Sequence, residues 1–231
     1  MLASDSSSDV ASQQTVPPLC EDVQLVLSLG GGQLQVGGME LAAAALVELV
    51  ILRRVGSVPE SGFMARKDVR KLTVISEEPV GVPALDAALT AVVAKGKPWN
   101  AFSSLRKIWR PVASATQDAL IARGAIARSG PFGGLKSTLS IADERQYRAA
   151  VARLDSAWLR PESVTDVRSA AFVDLLRNAP PSFNRGAQRP HGVQNAPFIE
   201  REWYPSEIRD TLVGIFQAQR AAAGSGTGYE G

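Results

Sequence analysis

MELAAAALVELVILRRVG occupies residues 39–56, and between residues 41 and 52 every side chain except Glu48 is apolar. A helix of this composition has no face suited to water, so it should lie inside a core. It is shorter than the roughly 20 apolar residues that a membrane span needs. Glu40 suits the first turn, Arg53 and Arg54 suit the last turn, and Gly56 suits a C-cap. We therefore predict a buried central helix from Met39 to Gly56.

The rest of the chain can surround such a helix. At 231 residues, of which 45% are hydrophobic, it is long enough for one domain with a real core. Helical periodicity predicts further helices over 19–29, 83–95, 99–124, 142–159, 164–175 and 206–221. Pro111 either kinks the third of these or begins a new helix. The expected fold class is mainly α, a single compact helical domain around the central helix.

Two regions favour short strands. Val69–Ile75 is rich in β-branched residues, whereas residues 57–68 resemble a loop. Residues 124–128 and 135–141 flank a glycine-rich turn, which predicts a β-hairpin. We therefore expect one or two small β-hairpins beside the helices.

Composition also divides the chain into segments. We predict a disordered tail over 1–18, a helical domain over 19–178, a proline-rich arm over 179–205, a C-terminal helix of the same domain over 206–221, and a disordered tail over 222–231. The polar, acidic N-terminus lacks the order of a signal peptide, so we expect a cytoplasmic protein with peripheral membrane contact.

The residues that usually carry catalysis are scarce. Residues 133–138 lack the glycine that a phosphate-binding loop places directly before its lysine. His191 is the only histidine and has no partner at metal-ligand spacing. Cys20 is the only cysteine and lies in an apolar helical context. We therefore expect no enzyme, no catalytic residues, no metal site and no cofactor.

Charge points instead to an anionic partner. Residues 95–128 contain seven basic residues and one acidic residue, a net charge of +6, whereas residues 1–30 carry −4. Arg106, Lys107 and Arg110 share one face of a predicted helix, and guanidinium groups suit phosphate because they offer parallel donors. Phe132 and Leu135 lie in the hairpin just downstream. Basic residues beside an apolar tip can hold a protein on an anionic membrane surface.

Four stretches, in this order, resemble the Golgi phosphoprotein 3 family and its bacterial relatives. Leu19–Leu27 is similar to the family's opening acidic-then-leucine helix, and Ala45–Val55 to its central Leu-x-Glu-Leu helix. Pro83–Leu89 is similar to its Leu-Asp-x-x-Leu helix, and Leu120–Ile126 to its Leu-x-x-Arg/Lys-Gly-x-Leu helix end. The resemblance covers roughly residues 19–178.

The resemblance implies a mainly helical fold that binds phosphatidylinositol 4-phosphate at a membrane. The family's headgroup pocket uses a tryptophan before the central helix, an arginine early in that helix and two arginines on a later helix. Here the loop 30–38 has no aromatic residue, and the three arginine positions hold Ala42, Arg110 and Ala113. These departures favour a looser anionic-phospholipid binder. Of the headgroup-binding residues, the resemblance implies only Arg110, and the basic helix face adds Arg106 and Lys107. The resemblance places the membrane-contact hairpin at Phe132 and Leu135.

Two other hypotheses stay open at this point. A basic helix followed by a hairpin bearing Lys136 is also typical of a winged-helix nucleic-acid binder, although the low net charge of +2 disfavours it. A scaffold that binds only another protein, through the 179–205 arm or the hairpin, is the third hypothesis.

Overall fold

The computed structural model describes residues 16–26, 38–59, 70–96, 98–130, 138–159, 164–178 and 202–224. These ranges contain seven helices and two antiparallel strand pairs, β1 with β2 and β3 with β4. The helices are α1 (Leu19–Val26), α2 (Gly38–Ile51), α3 (Pro83–Val93), α4 (Ala101–Ala122), α5 (Glu144–Leu159), α6 (Val167–Asn178) and α7 (Ser206–Gly224). The strands are β1 (Val55–Pro59), β2 (Arg70–Val74), β3 (Ile126–Ser129) and β4 (Thr138–Ile141). The predicted mainly α fold is confirmed.

Helix α2 runs through the middle of the core, as predicted. It packs against α1, α3, α4, α6 and α7, and its residues 41–49 are buried on every side. The run of small side chains from Ala42 to Ala45 is fully buried, which lets neighbouring helices approach closely. Among the described residues, no helix is both long and apolar enough to cross a bilayer.

The C-terminal end of α2 differs from the prediction. The helix ends at Ile51, and Arg53 adopts a left-handed conformation with φ 53°. The Arg54 N–H donates to the Leu49 carbonyl at 2.9 Å and the Arg53 N–H to the Val50 carbonyl at 3.0 Å, a Schellman ending. The prediction of Gly56 as C-cap is therefore wrong.

Gly56 lies instead in strand β1. The β-branched Val55 and Val58 favour extended backbone, and β1 pairs with β2 in the register Val55 opposite Val74 and Pro59 opposite Arg70. The predicted strand 69–75 is thus confirmed for β2. The loop predicted over 57–68 is wrong for residues 57–59, and the rest of it lies outside the described residues.

Helix α4 continues without a break through Pro111, which is exposed. Gly124, with φ 69°, closes the helix, and the Ala125 N–H donates to the Leu120 carbonyl at 2.9 Å. The chain then enters β3, which pairs with β4 with Ser129 opposite Thr138. The predicted hairpin is confirmed in its strands, whereas its tip lies outside the described residues.

The one charged residue in the middle of α2 joins three helices. Glu48 Oε2 accepts a hydrogen bond from the Leu19 N–H at 2.6 Å, and Oε1 accepts one from Arg168 Nε at 3.0 Å. Leu19 begins α1 and Arg168 lies in α6, so the carboxylate ties both helices to α2. Burial raises the pKa of Glu48, while Arg168 and the Leu19 N–H act against that rise.

Helix α1 depends on two more ion pairs of this kind. All eight of its residues are buried, including the acidic Glu21 and Asp22. Glu21 pairs with Arg123 at the end of α4, and Asp22 pairs with Arg153 of α5, with Arg153 Nε 3.1 Å from Oδ2. Buried carboxylates require such partners, because an unpaired buried charge is costly.

We expect Glu48→Gln to lower the free energy of unfolding by about 2 kcal/mol, because the partly buried Arg168 guanidinium loses its counter-charge. Urea unfolding at neutral pH measures this change. The control is Arg148→Gln, which breaks the exposed Arg148–Glu144 pair and should cost less than about 0.5 kcal/mol. Equal losses in the two variants would contradict the structural role of Glu48.

Candidate functional site

The basic face predicted on the third helix is present on α4. Arg106, Lys107 and Arg110 are exposed, while Leu105 and Ile108 on the opposite side are buried. The helical periodicity of this stretch therefore identified both faces correctly. The three cations lie within five consecutive residues, 106–110, so about one turn of α4 brings them together.

These cations differ from the arginines of the core. Arg123, Arg153 and Arg168 each bind a buried carboxylate. Within the ranges that the structure describes, no carboxylate lies within ion-pairing distance of the three exposed cations, which we name the α4 basic face (Arg106, Lys107 and Arg110).

Trp109 places this face against the start of the central helix. A Cβ atom at Gly38 would collide with the Trp109 ring, so the indole covers the first residue of α2 and only glycine fits beneath it. The Arg110 guanidinium carbon lies 5.0 Å from the Trp109 ring centroid, a cation–π contact. Arg110 is thereby held near the N-terminal end of α2, where the helix dipole is positive.

Helical periodicity placed Trp109 only with the core and did not predict its contact with Arg110. The structure shows Trp109 half-buried, with its ring against Gly38 and 5.0 Å from the Arg110 guanidinium carbon. The sequence signal was an aromatic residue directly before a surface arginine, together with a glycine at the start of the central helix.

Lys95 is a further cation that the sequence analysis did not assign to the site. It follows α3, and its Nζ lies 5.8 Å from the centroid of the Trp99 ring. Burial lowers the pKa of Lys95, and the charge of Lys107 lowers it further. The charge of Lys107 therefore acts on Lys95, although twelve positions separate the two residues in the sequence.

The other residues that the sequence analysis considered do not belong to the α4 basic face. Ala42 and Ala113, at the positions where the family resemblance implies arginines, are buried and face the core. Phe132, Leu135 and His191 lie outside the described residues. Among those described, no three His, Cys, Asp or Glu side chains form a group that could hold a metal ion.

Cys20 is a buried core thiol. It is fully buried in α1, and desolvation raises its pKa to about 12. The thiolate is the reactive form, so this cysteine remains a neutral, unreactive thiol at physiological pH.

Glu40 is a buried carboxyl group in the first turn of α2, close to the Gly38–Trp109 contact. Burial raises its pKa to about 7, opposed by a hydrogen bond from its own backbone N–H. The folded protein therefore binds a proton at Glu40 more tightly than the unfolded chain does. The contribution of Glu40 to stability is largest below its unfolded pKa near 4.5 and falls as pH rises towards 7.

We expect Glu40→Gln to be more stable than the wild type at pH 8, by about 3 kcal/mol, because the wild type must bury an ionised carboxylate there. The free energies of unfolding of the variant and the wild type should become similar near pH 4.5. Urea unfolding across this pH range measures the difference in the free energy of unfolding. The contributions of Glu21 and Glu48 cancel in this difference, because both proteins contain these residues. A difference that does not change with pH would contradict the raised pKa.

Comparison with known families agrees with this architecture. A family model described as Golgi phosphoprotein 3 (GPP34) matches residues 25–213, which extend from within α1 to within α7. No curated protein matches the chain at a significant level. Because the family match spans the central helix, the α4 basic face and most of the chain, the protein belongs to the Golgi phosphoprotein 3 family.

Proposed function

We propose that the protein is a peripheral membrane adaptor without enzymatic activity, which binds anionic phospholipid headgroups through Arg110, Arg106 and Lys107. The observation that carries this proposal is the α4 basic face. Its three exposed cations have no carboxylate partner in the described part of the chain, and one of them, Arg110, contacts the Trp109 ring that covers the start of α2.

Arg110 is the best placed of the three for a phosphate. A guanidinium can donate two parallel hydrogen bonds to phosphate oxygens, and contact with the Trp109 ring restricts its motion before a ligand arrives. The positive end of the α2 dipole adds to the attraction. Arg106 and Lys107 would contribute through charge at the membrane surface.

Charge alone gives only modest membrane affinity. Each Lys or Arg near an anionic leaflet contributes about 1 kcal/mol, so stable attachment needs a second element. We assign that role to the hairpin, with Phe132 and Leu135 as a shallow apolar wedge. Strands β3 and β4 are paired up to Ser129 and Thr138, which brings the ends of the connecting residues 130–137 together.

The proposed ligand is an acidic headgroup selected mainly by charge. The family resemblance implies a phosphatidylinositol 4-phosphate binder, but the buried Ala42 and Ala113 supply no cation for such a pocket. A cytoplasmic protein that attaches reversibly to an acidic membrane surface is the function that these residues support best.

The nucleic-acid hypothesis has less support in this structure. The half of α4 that leads to the hairpin exposes Ser114 and Asp118, and Asp118 lies 3.9 Å from Arg128 of β3. A winged helix would instead need basic residues there to contact phosphates. The protein-only scaffold depends on the 179–205 arm or on the hairpin, and most of the arm and the hairpin tip lie outside the described residues.

We expect wild-type protein to co-sediment with vesicles to an extent that rises with acidic lipid and falls with salt. Arg110→Gln should reduce the partition coefficient about 5-fold, since about 1 kcal/mol is lost. The triple variant Arg106→Gln, Lys107→Gln, Arg110→Gln should reduce binding to the level seen with neutral vesicles. Arg148→Gln has the same charge change as Arg110→Gln but lies on α5, and it should bind almost as the wild type does.

Equal recovery of wild-type protein with neutral and acidic vesicles would overturn the proposal. A gel shift with duplex DNA that survives physiological salt would then favour the nucleic-acid hypothesis. A protein pull-down that is lost on deletion of residues 179–205 would favour the scaffold.

A further inference from the structure

Gly38, Trp109 and Arg110 form a chain of contacts between α2 and the α4 basic face. A Cβ atom at Gly38 would lie 3.2 Å from Trp109 Cζ3 and closer still to Cε3, at a separation that real Cβ atoms do not show. The centroid of the same ring lies 5.0 Å from the Arg110 guanidinium carbon. The Trp109 ring therefore connects the first residue of α2 to an exposed cation of α4.

The ring, and not the backbone, requires glycine at position 38. Gly38 begins α2 and does not have a positive φ, so its backbone conformation is open to other residues. Alanine is also a better helix former than glycine, so local structure alone would favour a side chain here. The contact with Trp109 is what excludes one.

This contact makes Arg110 different from a freely moving surface cation. A half-buried indole limits the positions that the guanidinium can take, so less entropy is lost when an anion binds. A guanidinium in a restricted position can present two parallel N–H groups to two phosphate oxygens. A lysine would have the same charge but no planar pair of donors.

Arg106 provides the contrast within the same helix. It is exposed, and no aromatic ring, carboxylate or other hydrogen-bond partner contacts its side chain in the part of the chain that the structure describes. It lies four residues before Arg110, one turn away on α4. Arg106 therefore acts through its charge, a role that lysine fills equally well.

We propose that Arg110 recognises a phosphate group through the orientation of its guanidinium, and that Gly38 is a positioning residue which sets this orientation by seating the Trp109 ring. Charge brings the protein to the anionic surface, whereas geometry acts at Arg110. The lipid source of the phosphate rests on the proposed function above. A free phosphate offers the same chemistry, and the experiment separates the two sources.

The first test uses substitutions that conserve charge, measured by co-sedimentation with phosphatidylglycerol vesicles. Arg110→Lys should reduce the partition coefficient about 4-fold, nearly as much as Arg110→Gln, because the paired donors and the contact with the ring are lost. The matched control is Arg106→Lys, which should bind within about 1.5-fold of the wild type. Equal binding by Arg110→Lys and the wild type would overturn the inference and leave the lipid proposal standing.

The second test addresses Gly38, which carries no charge and makes no contact of its own with the ligand. Gly38→Ala should reduce the partition coefficient about 3-fold, because the methyl group displaces the half-buried Trp109 ring. Adding Trp109→Phe should restore most of this loss, since phenylalanine is smaller and keeps an aromatic face for Arg110. Far-UV circular dichroism and thermal unfolding establish that each variant is folded.

A double-mutant cycle distinguishes a positioning role from a merely structural one. In the Arg110→Gln background, Gly38→Ala should change vesicle binding by less than about 1.5-fold, because no guanidinium is left to position. A full 3-fold loss in that background would show that Gly38 acts on folding rather than on Arg110, and would overturn its role as a positioning residue.

Inorganic phosphate separates the lipid from a free phosphate as the ligand. If the wild type does not bind acidic vesicles, the proposed function fails. A phosphate-induced rise in melting temperature that Arg106→Lys retains and Arg110→Lys abolishes would then still support the positioned guanidinium, with free phosphate as ligand. Absence of both vesicle binding and this rise would overturn both proposals.

Discussion

The carboxylate of Glu48 is the interaction on which the rest of the structure depends. It is buried in a helix that is otherwise apolar around its middle, and it joins the first backbone N–H of α1 and the guanidinium of Arg168 in α6. An apolar residue at this position would pack well but would leave the buried end of α1 without an acceptor. One charged side chain therefore specifies how α1, α2 and α6 meet, in a core where apolar contacts alone are not directional.

The two other carboxylates of this network, Glu21 and Asp22, attach α1 to α4 and α5 through Arg123 and Arg153. Glu21, Glu48 and Arg123 belong to the same stretches that carry the family resemblance. The charged residues of these motifs thus have a structural explanation in this chain. The α4 basic face is chemically different, because its cations are exposed and find no carboxylate among the described residues. The arginines that pair with buried carboxylates and the cations of the α4 basic face are therefore different residues.

Much of the fold could be predicted because it depends on local patterns. The apolar run predicted a buried central helix, and helical periodicity predicted both faces of α4. The end of α2 could not be predicted, because Arg53 adopts a positive φ that usually requires glycine, while Gly56 was the obvious candidate. Contacts between residues far apart in the sequence could not be predicted either. The contact of Trp109 with Gly38 depends on how α4 packs against α2, which no local pattern encodes.

The central claim is that the charged residues of the family motifs hold the helices together and that a different set of cations is available to a ligand. Arg123 tests it most directly, because it is partly exposed yet pairs with the buried Glu21. The decisive measurement is thermal unfolding of Arg123→Gln together with its partition onto acidic vesicles at a temperature where it is folded. We predict a clearly lower melting temperature with vesicle binding close to that of the wild type. An unchanged melting temperature with vesicle binding lost would contradict the claim.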